Sequence, residues 1–277
     1  MDDEFSERAF PTRAVWSGTN HLEGSAVTPI FTTSTYQLND DRYRDWADGG
    51  QHSLIYSRWS SVNSEAVASK VASLEGAEDG ETLASGMAAI SSTLLSMLSK
   101  GDHMVTSADI YGGTYGLLTS DFPRFGIDVT MADIRDPSSF EAAINENTKV
   151  LYVETITNPV LKVCDLEAMA SIAKQHGLIS VVDNTFATPW ACQPISMGFD
   201  VVIHSGTKFL NGHTDLTAGI VVGRADLIKG VFKTKTRLGG TADPLMCYLL
   251  ERGMRTLHAR MPIHACLLYT SPSPRDY

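Results

Sequence analysis

The sequence predicts an α/β fold with a mostly parallel central sheet and helices on both of its faces. Three observations point there. Between about residues 80 and 225, short β-branched apolar runs alternate with helical patterns, the signature of strands joined by crossover helices. Two of those runs deliver Asp183 and Lys208 at their carboxyl ends, as open parallel sheets do with the residues of a site. A chain of 277 residues, 43% of them hydrophobic, is long enough for one large core, or one large domain and part of a second.

Taken in order, residues 1–60 have little periodicity and are rich in Thr, Ser, Asp and Gly. They read as an extended arm of the kind that reaches a neighbouring subunit. Residues 61–255 read as the large α/β domain. Within it, Ser85-Gly86-Met87-Ala88-Ala89-Ile90 opens a helix whose apolar side runs through Met87, Ile90, Leu94 and Met97. The clearest unit has a strand at Lys149–Glu154, a loop, and a helix capped by Asp165 and ended by Gly177. A strand at Ile179–Val182 follows and presents Asp183; another at Asp200–His204 presents Ser205-Gly206-Thr207-Lys208. Asp243-Pro244 starts a further helix that leads towards Arg260. Residues 256–265 read as the start of a second, truncated domain. From Cys266 to Tyr277 no period continues, and that stretch reads as a non-native tail. No internal repeat is found.

Composition excludes several function classes. A net charge of −10, with no block of like charges, disfavours nucleic acid and anionic membranes as partners. The start Met1-Asp2-Asp3-Glu4 is acidic where a secretory signal is basic, and no apolar run is long enough to span a bilayer, so a cytoplasmic location is expected. Cys164, Cys192, Cys247 and Cys266 are scattered and read as reduced core thiols; neither they nor the histidines show metal-ligand spacing, so no metal is expected.

The chemistry-bearing residues suit pyridoxal 5′-phosphate (PLP). That cofactor needs an amine to bond its aldehyde, an acid beside the ring nitrogen, a phosphate cradle and a flat group against the ring. Lys208 supplies the amine. Because a free lysine amine is almost wholly protonated at neutral pH, its use as a nucleophile calls for a desolvated cleft. Asp183 suits the ring nitrogen, since a carboxylate beside a pyridinium favours the charged form of both. The helix start at Gly86 and Met87 offers backbone N–H groups to a phosphate, with Ser205 and Thr207 as hydroxyl donors. Tyr111, before Gly112-Gly113, is a candidate to lie against the ring. Each residue alone has a plainer reading: Lys208 as a solvated charge, Asp183 as a turn cap, Gly86 as close packing, and Tyr56 and Arg58 as surface residues of the arm.

In combination, these segments resemble the Cys/Met metabolism PLP-dependent enzymes, the trans-sulfuration family of cystathionine synthases and lyases, methionine γ-lyase and acyl-homoserine sulfhydrylases. The motifs run in the family's order from roughly Thr12 to His264: Tyr56-Ser-Arg58, Leu74-Glu75-Gly76, Ser85-Gly86-Met87-Ala88, Asp109-Ile-Tyr111-Gly-Gly-Thr114, Glu154-Thr-Ile-Thr-Asn158-Pro159, Val182-Asp183-Asn184-Thr185-Phe186, and His204-Ser205-Gly-Thr207-Lys208 through Gly212-His213. The resemblance implies the fold type I architecture of PLP-dependent transferases and a homotetramer, a dimer of dimers with shared active sites. It implies that Tyr56 and Arg58 reach the phosphate of the neighbouring subunit, that Gly86, Met87, Ser205 and Thr207 hold it within the same subunit, and that Tyr111 stacks on the ring. Asn158 contacts the ring's phenolic oxygen, Tyr56 activates the incoming amino group, and Lys208 carries protons between substrate carbons.

Three departures from the family's pattern matter. Ser61-Val62-Asn63 stands where the family commonly has Asn-Pro-Thr. Gly113 stands where methionine γ-lyases often carry cysteine, although Thr217-Ala-Gly-Ile-Val-Val-Gly223 resembles those lyases. The family's substrate-gripping arginine lies in a C-terminal domain that this chain does not reach. The expected activity is elimination or replacement at the γ or β carbon of a sulfur-containing or O-acylated amino acid. The alternatives are a PLP aminotransferase or other fold type I lyase, or a catalytically incomplete PLP-binding fragment.

Overall fold

In the computed structural model, residues 5, 7–48, 50 and 53–270 are described, with side chains through 267. The acidic start, Met1–Glu4, and residues 271–277 of the expected tail lie outside them. The helices are α1 (Phe10–Trp16), α2 (Asp40–Ala47), α3 (Val62–Glu75), α4 (Gly86–Met97), α5 (Gly112–Gly116), α6 (Phe122–Phe125), α7 (Pro137–Ala143), α8 (Leu166–Gln175), α9 (Thr188–Ala191), α10 (Ala225–Leu238), α11 (Pro244–Met254) and α12 (Leu257–Thr270). The strands are β1 (Asp79–Leu83), β2 (His103–Ser107), β3 (Asp128–Ala132), β4 (Thr148–Glu154), β5 (Ile179–Asp183), β6 (Val201–Ser205) and β7 (Gly219–Gly223). They form one seven-stranded sheet in the order β1-β7-β6-β5-β4-β2-β3.

Strands β2 to β6 are parallel, as crossover helices require, whereas β7 runs antiparallel to both β6 and β1. The alternating pattern does not foretell that reversal. Its cause is local: the β6–β7 connection is a turn with no crossover helix, so the chain returns in the opposite sense.

Side-chain alternation divides the core in two. Leu151, Val153, Val182, Val202 and Ile220 face α3, α8 and α11. Val150, Tyr152, Val181, Val201, Ile203 and Val221 face α4 and α10. Both faces of the sheet are covered, so its strands read as continuous apolar runs rather than alternating ones. Helix α4 buries Ile90 and Leu94, with Met87 and Met97 partly buried beside them.

The helix ends follow the sequence signals. Asp165 Oδ1 accepts from Ala168 N–H at 3.0 Å, and Asp243 Oδ1 accepts from Leu245 and Met246 N–H at 2.8 and 3.2 Å. Gly177 takes φ 64°, the left-handed turn that stops α8. At the departure Ser61-Val62-Asn63, Ser61 and Ser64 form a capping box at the start of α3. Asn63 meanwhile ties down the preceding segment, accepting from Phe31 N–H and donating to Pro29 carbonyl.

Other expectations change. The N-terminal stretch holds two short helices, and α1 is docked on this chain's own core: Ala14 is fully buried, and buried Lys70 donates to the Ala14 and Val15 carbonyls. The helix towards Arg260 is two helices, α11 and α12. Helix α12 runs through Cys266 to Thr270, so the backbone does not break where the sequence period stops. Cys164 and Cys247 are buried thiols, but Cys266 is exposed, lying beyond Met261, the last buried core residue of α12. Among the described residues, no helix is long and apolar enough to cross a membrane.

Candidate active site

The parallel strands deliver their carboxyl ends to one edge of the sheet, and the candidate residues gather there. Glu154, the last residue of β4, pairs in register with Asp183, the last of β5. Both share strand parity with Tyr152 and Val181, so their side chains lie on the α4 face. Ser205 ends β6 on the same face, by parity with Val201 and Ile203.

Helix α4 starts against Ser205. A side chain at Gly86 would bring its Cβ to 2.9 Å from Ser205 Cβ and 3.0 Å from Ser205 Oγ, so glycine permits the approach. The approach is locked from beneath by Gly219 of β7, whose added Cβ would lie 2.0 Å from the Ser85 carbonyl oxygen. Ser85 caps the helix, its Oγ accepting from Ala88 N–H at 3.1 Å, and the first intrahelical bond runs from Ala89 N–H to Ser85 carbonyl. The N–H groups of Gly86 and Met87 therefore precede the helical ladder and suit an anionic oxygen, as does the Ser205 hydroxyl beside them.

Asp183 is partly buried, and Thr185 N–H donates to its Oδ1 at 2.9 Å. Burial pushes its carboxyl up from the ordinary carboxylate range, while Thr185 and His204 pull it down. The Thr185 hydroxyl in turn accepts from Ser205 N–H at 2.8 Å, joining the ends of β5 and β6.

Beneath Asp183, on the opposite face of the sheet, lies a second polar group. His204 Nε2 meets Glu75 Oε1 at 2.7 Å, both side chains being 0% exposed. Asn184 Nδ2 donates to the same Glu75 oxygen at 2.9 Å and to the Cys192 carbonyl. These bonds hold the end of α3 to the residues immediately after β5 and at the end of β6.

Lys208 sits in the turn after β6, its N–H bonded to Ser205 carbonyl at 3.2 Å. Its side chain is exposed, not enclosed in the desolvated cleft expected from the sequence, because that turn projects beyond the strand end. The turn itself is fastened by Arg260 of α12, which donates to the carbonyls of Phe209, Leu210 and Gly253.

Tyr111 is 44% exposed at the start of α5. An added Cβ at Gly113 would lie 2.6 Å from the Tyr111 ring and 2.9 Å from Met87 Sδ, so the ring and the α4 start are neighbours. The Glu154 carboxylate accepts from Tyr111 N–H at 2.8 Å and from Asn158 N–H at 3.1 Å.

These residues fit PLP. The glycine-built cradle at Gly86 and Ser205 suits a phosphate, the acid at a strand end suits a ring nitrogen, and the exposed lysine in the turn after Ser205 suits an aldehyde. The sequence matches the Cys/Met metabolism PLP-dependent enzyme family over residues 11–266. The chain belongs to that family. Among the Cys/Met metabolism PLP-dependent enzymes similar to it is an L-methionine γ-lyase of Porphyromonas gingivalis, 40% identical over 95% of this chain and 67% of its own length. A solved cystathionine γ-lyase from Lactobacillus plantarum, complexed with L-serine, has a TM-score of 0.87 at 35% identity, covering 95% of this chain and 68% of that one. A Campylobacter jejuni protein described as an O-acetylhomoserine (thiol)-lyase, solved with N′-pyridoxyl-lysine-5′-monophosphate, has a TM-score of 0.89 at 31% identity, covering 94% of this chain and 73% of that one. The chain thus spans about two thirds of the length of the first two. The family is PLP-dependent, as the residue chemistry indicates.

Some expected site residues engage other groups of this chain. Arg58 donates to the Thr236 carbonyl of α10 at 2.7 Å and lies 5.4 Å from the centre of the exposed Tyr56 ring. The Thr207 hydroxyl accepts from Ala218 N–H at 3.1 Å and lies 3.4 Å from the Ala218 carbonyl, so in this chain it serves the approach to β7. Sequence reasoning assigned no role to Glu75, Glu154, His204 or Arg260, although the first three stand inside the motifs. The available signal was an ionisable residue closing an apolar strand or helix, as in Val150–Glu154 and Val201–His204.

Proposed function

We propose that this chain carries out PLP-dependent elimination or replacement at the γ or β carbon of a sulfur-containing or O-acylated amino acid. The observation that carries the reading is the convergence of Asp183, Lys208 and the Gly86–Ser205 cradle on one sheet edge, in a chain of a PLP-dependent family. The names of its relatives, a methionine γ-lyase and a cystathionine γ-lyase, support the choice of reaction.

When bound, PLP supplies an electron sink conjugated to the substrate's α carbon. The chain's own residues do the rest. Gly86 and Met87 N–H groups and the Ser205 hydroxyl bind the phosphate, with Thr207 as a further donor once its hydroxyl turns from Ala218. Asp183, held by Thr185, keeps the proton on the ring nitrogen, because its carboxylate next to a cation favours both charged forms. Tyr111 orients the ring from one side, and Asn158 faces its phenolic oxygen. Lys208 anchors the cofactor through Nζ and, once released, moves a proton between substrate carbons. Its exposed amine has no hydrogen bond or ion pair to another described residue that would oppose this.

Tyr56 and Arg58 belong to the site of a neighbouring subunit in this reading, Arg58 gripping phosphate and Tyr56 taking the proton of the incoming amino group. The exposure of both side chains supports a dimer with shared sites, paired into a homotetramer. Cys164, Cys192 and Cys247, which form no disulfide, support a cytoplasmic location. Residues 61–255 are the cofactor-binding domain in this reading, residues 256–265 begin a second domain, and the stretch from Cys266 is non-native in sequence.

The test is the absorbance of the purified chain with added PLP, followed by borohydride and then by assay of 2-oxo acid release from methionine and cystathionine. A borohydride-fixable adduct lost in Lys208→Ala, with 2-oxo acid release, supports the reading. Amino transfer to 2-oxoglutarate would assign a transaminase instead, and an adduct without turnover would leave a cofactor-binding fragment.

A further inference from the structure

Glu154 is 4% exposed, and no basic side chain among the described residues pairs with it. A carboxylate buried without a cation is costly, so a purely structural position would favour glutamine or an apolar residue. What a carboxylate alone offers is two acceptor oxygens with no donor. Both are used: Oε1 accepts from Tyr111 N–H at 2.8 Å, and Oε2 accepts from Asn158 N–H at 3.1 Å. Tyr111 follows β2 and Asn158 follows β4, so one side chain straps together two loops that leave adjacent strands.

We infer that Glu154 is a positioning residue that sets the Tyr111 ring and the Asn158 amide together over the cofactor pocket. This rests on the reading above, in which those two residues meet the PLP ring. Glu154 acts through them and touches no reacting atom.

The strap has two states. Ionised, it holds both loops through charge-assisted bonds; protonated, one oxygen carries a proton and its hold on one loop weakens. Burial, and then the charge of Asp183, push the Glu154 carboxyl up to about 7, while the two N–H groups oppose them. The charged group acting on it is thus Asp183 on β5, and Glu154 in turn acts on Tyr152 of its own strand; His204 on β6 acts on Asp183, and the strapped loops carry Tyr111 and the Asp109–Lys162 ion pair. A cation beside Asp183 cancels the repulsion and draws Glu154 into its two-acceptor form. Cofactor affinity and strap closure are therefore linked, each favouring the other.

The experiment compares wild type, Glu154→Gln and Glu154→Asp by amide hydrogen exchange without cofactor and by fluorescence titration with PLP across neutral pH. In Glu154→Gln, protection at the Tyr111 and Asn158 amides is expected to fall about tenfold while the sheet stays protected, because a charge-assisted bond is lost. PLP binding weakens by about the same factor and loses its dependence on pH near neutrality, and Glu154→Asp recovers part of both. Unchanged exchange and unchanged PLP affinity in Glu154→Gln would overturn the inference. So would loss of protection throughout the sheet in both variants, which would make Glu154 a structural residue. A wild-type chain that takes up no PLP overturns it together with the reading beneath; intact protection at the two amides would then locate the failure in the pocket rather than in the strap.

Discussion

Glu154 and Asp183 stand side by side as register partners at the carboxyl ends of β4 and β5, two acids on one face of the sheet. Both carboxyls are pushed upward, Glu154 from an ordinary 4.5 to about 7. Between those values the folded chain binds more protons than the unfolded one, so stability falls as pH rises. The contribution is fully present below about pH 4.5 and is lost as pH rises through about 7. For Glu154 it is on the order of 3 kcal/mol. Urea unfolding of the cofactor-free chain at about pH 5 and about pH 8 checks this, with the Glu154→Gln variant expected to show the shallower decline. A wild-type midpoint that rises relative to the variant with pH would contradict it.

Lys208→Ala is expected to leave the fold alone while removing the cofactor's anchor. The side chain is exposed on a turn that backbone bonds and Arg260 hold. The change in unfolding free energy should stay within about 0.5 kcal/mol. Borohydride treatment with PLP, followed by mass measurement, should show a covalent adduct on the wild type and none on the variant.

Two glycines should separate binding from stability. In Gly86→Ala the new methyl meets Ser205 Cβ at 2.9 Å, which a small shift of the β6 end must relieve, so PLP affinity drops and melting temperature falls by less than a backbone clash would cost. In Gly219→Ala it meets the Ser85 carbonyl at 2.0 Å, and backbone cannot step aside. That variant should lose about 1–3 kcal/mol of stability. Thermal melts and PLP titrations of the pair distinguish the two effects; equal melting temperatures would contradict the packing argument.

Glu75→Ala removes the acceptor that His204 and Asn184 share, leaving two buried polar groups without it. The expected cost is about 3 kcal/mol, measured by denaturant unfolding. Because the group lies beneath Asp183 and not in the pocket, PLP affinity per folded molecule should change less than it does in Gly86→Ala.

Much of the scaffold was legible in the chain itself. The crossover region, the strands that deliver Asp183 and Ser205, the caps at Asp165 and Asp243, and the helix start at Gly86 depend on local period and local hydrogen bonding. That Asp183 and the turn carrying Lys208 leave the same sheet edge was legible too, because parallel strands end at one edge. Other relationships were not, since they rest on contacts between distant segments. No local pattern says that β7 returns antiparallel, that Arg260 fastens the turn after Lys208, or that Glu75 reaches His204.

Glu154 shows the boundary most clearly. The sequence by itself determined that an acid closes the β4 strand and that Tyr111 and Asn158 lie in the loops around it. Only the tertiary structure decided that this acid stands beside Asp183, is buried without a cation, and accepts from both loops. The physical reason is that strand register and desolvation are properties of the assembled sheet: a period of two places a side chain on a face, but its neighbours come from another strand and its dielectric from the helices packed above.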